Sequence, residues 1–196
     1  MWKSPVVVFL AFLAALPTAC SDGASGPPGH VTAGLAGKPG GGDFVLQAAA
    51  GPVDTRTLRG NVLLVYFGYT NCPDICPASL AAGAQALNAL KPDERARTRL
   101  ILVSVDPERD TPARLKEYTA YFHPAMVGVT GTVAEIASVA RAYGAGYVRQ
   151  APRPDGAYAV DHSADTYVVG PDGKLAQTLH FAAPPEQVTE AVRKLL

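Results

Sequence analysis

Two cysteines four positions apart, Cys72 and Cys76, stand in the run Tyr-Phe-Gly-Tyr-Thr-Asn-Cys-Pro-Asp-Ile-Cys-Pro over residues 66–77. A step of four on a helix places both sulfurs on one face. There they can close a disulfide, exchange disulfides with a partner, or grip one soft metal ion. The pair follows an apolar run at a predicted helix N-terminus, where free N–H groups and the positive dipole end favour thiolate over thiol. Asp74 suits the same helix start and is a candidate to orient the ligands. A purely structural disulfide would gain little, because so short a step inside a proline-flanked turn closes little loop entropy.

The third donor is His162, in Asp161-His162-Ser163-Ala164-Asp165 just before an apolar strand. Two thiolates and one imidazole make a soft three-coordinate set that suits Cu(I), and with a further oxygen ligand Cu(II). Asp161 is a candidate to fix the imidazole tautomer. The other histidines carry less: His30 reads as a loop residue, His123 as a helix-end dipole contact, and His180 as a strand end. Tyr66, Phe67 and Tyr69 read as core or site-wall aromatics.

The elements that must position these groups follow from the apolar pattern. Phe44–Leu46 reads as a first strand and Thr57–Gly60 as a turn. Val62–Phe67 is apolar without alternation, as in a strand covered on both faces. A helix over 77–90 carries Leu80, Ala84, Leu87 and Leu90 inward, with Pro77 in its first turn. A second buried strand, 99–105, ends at Asp106-Pro107. Thr111 caps a helix with Leu115, Tyr118 and Phe122 on its apolar face. Met126–Val129 is a short strand, and Thr132-Val-Ala-Glu135 is a capping box for a helix that stops at Gly144. Residues 146–149 and 157–160 are expected to pair across Pro152–Gly156. Thr166–Val169 and Leu175–Leu179 flank the turn Pro171-Asp172-Gly173, and Pro184-Pro185-Glu186 opens a last helix with Val188, Val192 and Leu195 inward. This order predicts an α/β fold, a three-layer thioredoxin-like sandwich with a central mixed sheet. Functional groups should gather beyond the carboxyl ends of the strands, with Cys72, Asp106 and the loop before Thr166 on one edge.

Lys3 and the uncharged run Pro5–Ala19 read as a signal peptide over residues 1–19, too short for an ordinary membrane span. The sequence Leu16-Pro17-Thr18-Ala19-Cys20 resembles a bacterial lipoprotein signal, although Pro17 departs from the usual branched residue. It implies lipidation of Cys20, which leaves Cys72 and Cys76 as the pair free for chemistry. Residues 20–42 carry eight glycines and no apolar period, as in a flexible linker. The folded domain is expected over 43–196. Basic and acidic residues both number 17, so net charge implies no nucleic-acid partner. The expected location is the bacterial cell envelope, facing the periplasm on a lipid anchor.

Tyr66–Pro77, then Val103-Ser-Val-Asp-Pro-Glu-Arg-Asp-Thr-Pro112, then Asp161-His162-Ser163 with Tyr167 and Pro171-Asp172-Gly173, together resemble the Sco/SenC family over residues 38–196. The resemblance implies a membrane-attached copper metallochaperone of thioredoxin-like fold. One copper would be held by Cys72, Cys76 and His162 and passed to the dinuclear copper site of cytochrome c oxidase subunit II. A periplasmic copper donor or thiol reductant would act upstream. The alternative is a thiol–disulfide oxidoreductase that reduces the acceptor's cysteines. Against it, such enzymes usually carry Cys-x-x-Cys and a proline where this chain has Asp165, and His162 would lack a task. A peroxidase would recruit Thr70 and Arg141 beside one attacking cysteine, which nothing in the sequence demands.

Overall fold

A computed structural model describes Met1 and residues 40–196. The expected signal peptide, the lipidated Cys20, His30 and the linker up to residue 39 lie outside the described residues. The chain runs through β1 (Val45–Ala48), β2 (Gly51–Asp54), a 3-10 turn (Thr55–Leu58), β3 (Val62–Gly68), α1 (Ile75–Ala89) and α2 (Pro92–Ala96). It continues through β4 (Thr98–Ser104), α3 (Pro112–Phe122), β5 (Met126–Val129), α4 (Val133–Tyr143), β6 (Tyr147–Arg149) and β7 (Val160–His162). The last elements are β8 (Thr166–Val169), β9 (Leu175–Leu179) and α5 (Pro185–Arg193). Among the described residues no helix is long and apolar enough to cross a membrane.

Five strands form one mixed sheet in the order β5-β4-β3-β8-β9. β3, β4 and β5 are parallel, whereas β8 and β9 run antiparallel to their neighbours. Every residue of β3 is buried, as a strand with helices or loops on both faces requires. Alternate side chains divide the core. Phe67 meets Tyr143 of α4 and Tyr167 of β8, with ring centres 5.8 and 5.6 Å away. Its neighbour Tyr66 points the other way, toward α1 and the thiols, and α1 itself packs against α5. This is the three-layer arrangement that the order of elements implies.

Caps set by local chemistry fall where the sequence places them. Thr111 accepts from Arg114 N at 3.2 Å, and Thr132 with Glu135 forms the reciprocal box that starts α4. Gly144 ends that helix at φ 70°, a conformation that costs glycine no Cβ clash.

Four expectations need correction. The first strand is half of a hairpin, β1 pairing with β2, and α2 was not foreseen. Helix α1 begins at Ile75, so Pro77 is its third residue and Cys76 lies in its first turn. The missing proline N–H is still harmless, since the first four have no helical partner. The hairpin after α4 uses Val160–His162 rather than 157–160, with Arg149 opposite Val160 and Tyr147 opposite His162. That three-residue displacement makes His162 part of a strand. It follows from a long-range contact, the Tyr69 hydroxyl accepting from Val160 N at 3.2 Å.

Candidate metal centre

The turn after β3 and the first turn of α1 deliver the two sulfurs, and β7 delivers the imidazole. The donor atoms of Cys72, Cys76 and His162 all lie within 4.8 Å of one another. His162 Nε2 is 3.2 Å from Cys76 Sγ, and Cys76 N donates to Cys72 Sγ at 3.4 Å. Both cysteines are free. Cys72 is 9% exposed and Cys76 is fully enclosed, so Cys72 is the sulfur nearer solvent. Gly68 makes the approach of α1 to β3 feasible: a Cβ there would stand 2.7 Å from Cys76 Sγ.

His162 Nδ1 lies 3.0 Å from Ser163 O. A carbonyl can only accept, so Nδ1 carries the proton and Nε2 presents its lone pair to the sulfurs. The edges of Tyr66 and Tyr69 wall the imidazole, with ring centres 6.1 and 5.8 Å away. Burial keeps His162 below the usual histidine pKa, which favours the neutral ring that a metal needs.

Burial also pushes the Cys76 thiol well above its ordinary value of 9.0. This reverses the expectation that the helix N-terminus would favour thiolate at Cys76. Removing a fully enclosed sulfur from water outweighs the dipole. Burial thus favours a neutral thiol and a neutral imidazole where Cys76 Sγ and His162 Nε2 meet.

The two carboxylates expected to orient the ligands stand elsewhere. Asp74 is exposed at the α1 N-cap and makes no side-chain cap bond. Asp161 is exposed and accepts from Gln150 Nε2 at 2.5 Å, so Ser163 O rather than Asp161 fixes the tautomer. Asp161 acts on the ring only through its charge. His123 Nδ1 accepts from Ala125 N at 3.0 Å, and burial lowers its pKa. It stands at the C-cap of α3, as expected, and burial there favours the neutral ring over a cation on the dipole. His180 is exposed and pairs with Asp165 at 3.3 Å. Arg141 is exposed in the last turn of α4.

The sequence did not reveal the braces. Asp110 is fully buried and accepts from Thr70 N at 3.0 Å, Thr70 Oγ1 at 2.5 Å and Ser104 Oγ at 2.7 Å. Arg114 donates to Thr70 Oγ1 at 2.7 Å and Asn71 Oδ1 at 2.6 Å. Thr70 is thus a strut of the thiol turn. Asp106, expected at the functional edge, is buried there in an ion pair with Arg109 and accepts from the Tyr158 hydroxyl at 2.8 Å. The only local signal for Asp110 was its place just before a helix cap.

The SCO1/SenC family model matches residues 33–196, and the chain belongs to this family. It is 38% identical over 155 residues to the mitochondrial SCO2 homolog of Bos taurus, covering 78% of this chain but 58% of the bovine protein. The chain therefore spans little more than half the length of that relative. The structure of Bradyrhizobium japonicum ScoI with copper bound superposes with a TM-score of 0.72 at 37% identity, covering 80% of this chain and 99% of that one. BsSco, a member of the Sco family of cytochrome c oxidase assembly proteins in which a disulfide switch was identified, matches with a TM-score of 0.61 at 29% identity. That match covers 79% of this chain and 91% of BsSco. The fold is thioredoxin-like.

Proposed function

We propose that this chain is a copper metallochaperone that carries one copper ion as cargo on Cys72 Sγ, Cys76 Sγ and His162 Nε2. The observation that carries the reading is the convergence of two sulfurs and an unprotonated imidazole nitrogen within 4.8 Å. Such a set fits Cu(I), which tolerates three soft or borderline donors. The copper bound by the Bradyrhizobium relative supports the same reading. The acceptor is the dinuclear copper site of cytochrome c oxidase subunit II, in keeping with the assembly role stated for BsSco. A periplasmic copper donor or thiol reductant acts upstream, and Cys20 carries the lipid that holds the protein at the envelope membrane. Transfer proceeds by ligand exchange. An acceptor thiolate adds to the three-coordinate ion before a resident donor leaves, and Cys72, the outward sulfur, meets it first.

Loading must expel the Cys76 proton. The raised thiol keeps that proton throughout the neutral range, whereas His162, its pKa lowered, is already neutral there. Between pH 6.5 and 8 the apparent Cu(I) affinity should therefore climb by about tenfold per pH unit for the Cys76 proton alone. Competition with a Cu(I) chelator across this range checks it, and a flat profile would contradict thiolate ligation by Cys76.

The second reading, reduction of an acceptor disulfide, is favoured by two free thiols whose sulfurs lie within 4.8 Å of one another. In that step Cys72, the accessible sulfur, attacks one acceptor sulfur and forms a mixed disulfide. Cys76 then resolves it, leaving a Cys72–Cys76 disulfide and a reduced acceptor.

A further inference from the structure

Arg109 touches both segments that bring the donors together. Its guanidinium carbon lies 3.6 Å from the ring centre of Tyr158 and 5.5 Å from that of Tyr69. Tyr69 precedes the thiol turn and meets the His162 ring edge-on, while its hydroxyl accepts from Val160 N. Tyr158 leads into β7. Arg109 Nη1 donates to Tyr158 O at 2.9 Å, and Arg109 Nε donates to Asp106, the carboxylate that also accepts from the Tyr158 hydroxyl.

The remaining guanidinium nitrogen, Nη2, is buried and has no hydrogen-bond partner among the described residues. Leaving a charged donor unsatisfied is unfavourable, and resting the cation on two aromatic faces offsets it. The strand that needs this hold is weak by itself. β6 and β7 have three residues each and, among the described residues, pair only with one another, and so small a hairpin is not stable alone.

The geometry points to Arg109 as a positioning residue for copper ligation: it locks β7 against the thiol turn and acts on the metal through His162. The inference rests on the copper reading above. The test measures Cu(I) affinity of the reduced full chain by chelator competition for wild type, Arg109→Met, His162→Ala and the double variant. Thermal unfolding and the ¹⁵N signals of the His162 ring are followed in parallel. Arg109→Met should lose about 10- to 100-fold in affinity, the range for groups that orient metal ligands, and should disturb the Nδ1–H signature of His162. In the His162→Ala background it should lose nothing more.

An equal further loss in that background would show that Arg109 acts through general stability, and would overturn the inference. So would an Arg109→Met affinity equal to wild type while His162→Ala is impaired. If His162→Ala itself binds like wild type, the copper reading fails first. Should Arg109→Met not fold, the half-buried Tyr158→Leu removes the aromatic face and the hydroxyl bond of the clamp, and must show the same non-additivity at a smaller loss.

Discussion

In Cys76→Ser the protein should lose about a hundredfold of its Cu(I) affinity while remaining folded. A tetrahedral structural zinc site is worth about 10–16 kcal/mol, so one of its four ligands contributes about 2.5–4 kcal/mol, and each 1.4 kcal/mol is tenfold. Serine offers a hard, poorly ionised oxygen in place of a soft sulfur. It also leaves Cys72 and His162 without the donor that sits between them, 3.2 Å from the imidazole and linked through its own N–H to Cys72. The replacement is nearly isosteric, so the core around the fully buried Cys76 should survive. Chelator competition reads the affinity and circular dichroism reads the fold. A loss below tenfold would mean that Cys76 is not a ligand.

Asp110→Ala should produce the largest loss of stability, about 3–5 kcal/mol, as when one partner of a buried polar network is removed. Its carboxylate takes three hydrogen bonds at 3.0, 2.5 and 2.7 Å from Thr70 and Ser104, and none of its surface is exposed. Truncation leaves the Thr70 N–H and the Ser104 hydroxyl facing a void. Arg114 adds little that could compensate, because its contact with Asp110 is 3.9 Å and it is half exposed, where ion pairs are worth at most about 1 kcal/mol. For a domain of this size the loss corresponds to a fall in Tm of about 10 °C. The thiol turn, whose first residue is Thr70, should loosen ahead of global unfolding. A denaturation curve shifted by less than about 1 kcal/mol would show that the brace is dispensable.

The contrast between these two residues explains what the sequence could disclose. Cys72 and Cys76 are four positions apart across the turn that leads into one helix, and His162 stands in a short polar run before an apolar strand. Those signals are local. The caps at Thr111 and Thr132 are equally local, because their acceptors and donors lie three residues apart. Asp110 works instead across 40 positions to Thr70, and Tyr158 across 52 positions to Asp106. No spacing rule announces such pairs; only the packed sheet creates them.

Long-range packing also sets the Cys76 thiol, the Asp161 carboxylate and the register of β7. The dipole argument for a thiolate used only the helix start, whereas the Cys76 thiol responds to the whole core that encloses it. The assignment of Asp161 to the imidazole used adjacency in sequence. Once His162 lies on β7, successive side chains point to opposite faces of the strand, and the carboxylate turns out to Gln150. The displaced register of β7 likewise depends on Tyr69, which is 91 positions from Val160. Patterns of apolar residues located the strands but could not see this anchor.

The most direct test of the three-donor copper site is anaerobic Cu(I) titration of the reduced protein, wild type against His162→Ala, under chelator competition. Wild type should bind one Cu(I), and His162→Ala, folded and with both thiols intact, should bind it more weakly by about tenfold or more. Equal affinity in the two proteins would contradict the account, because the imidazole would then be a bystander to a simple dithiol.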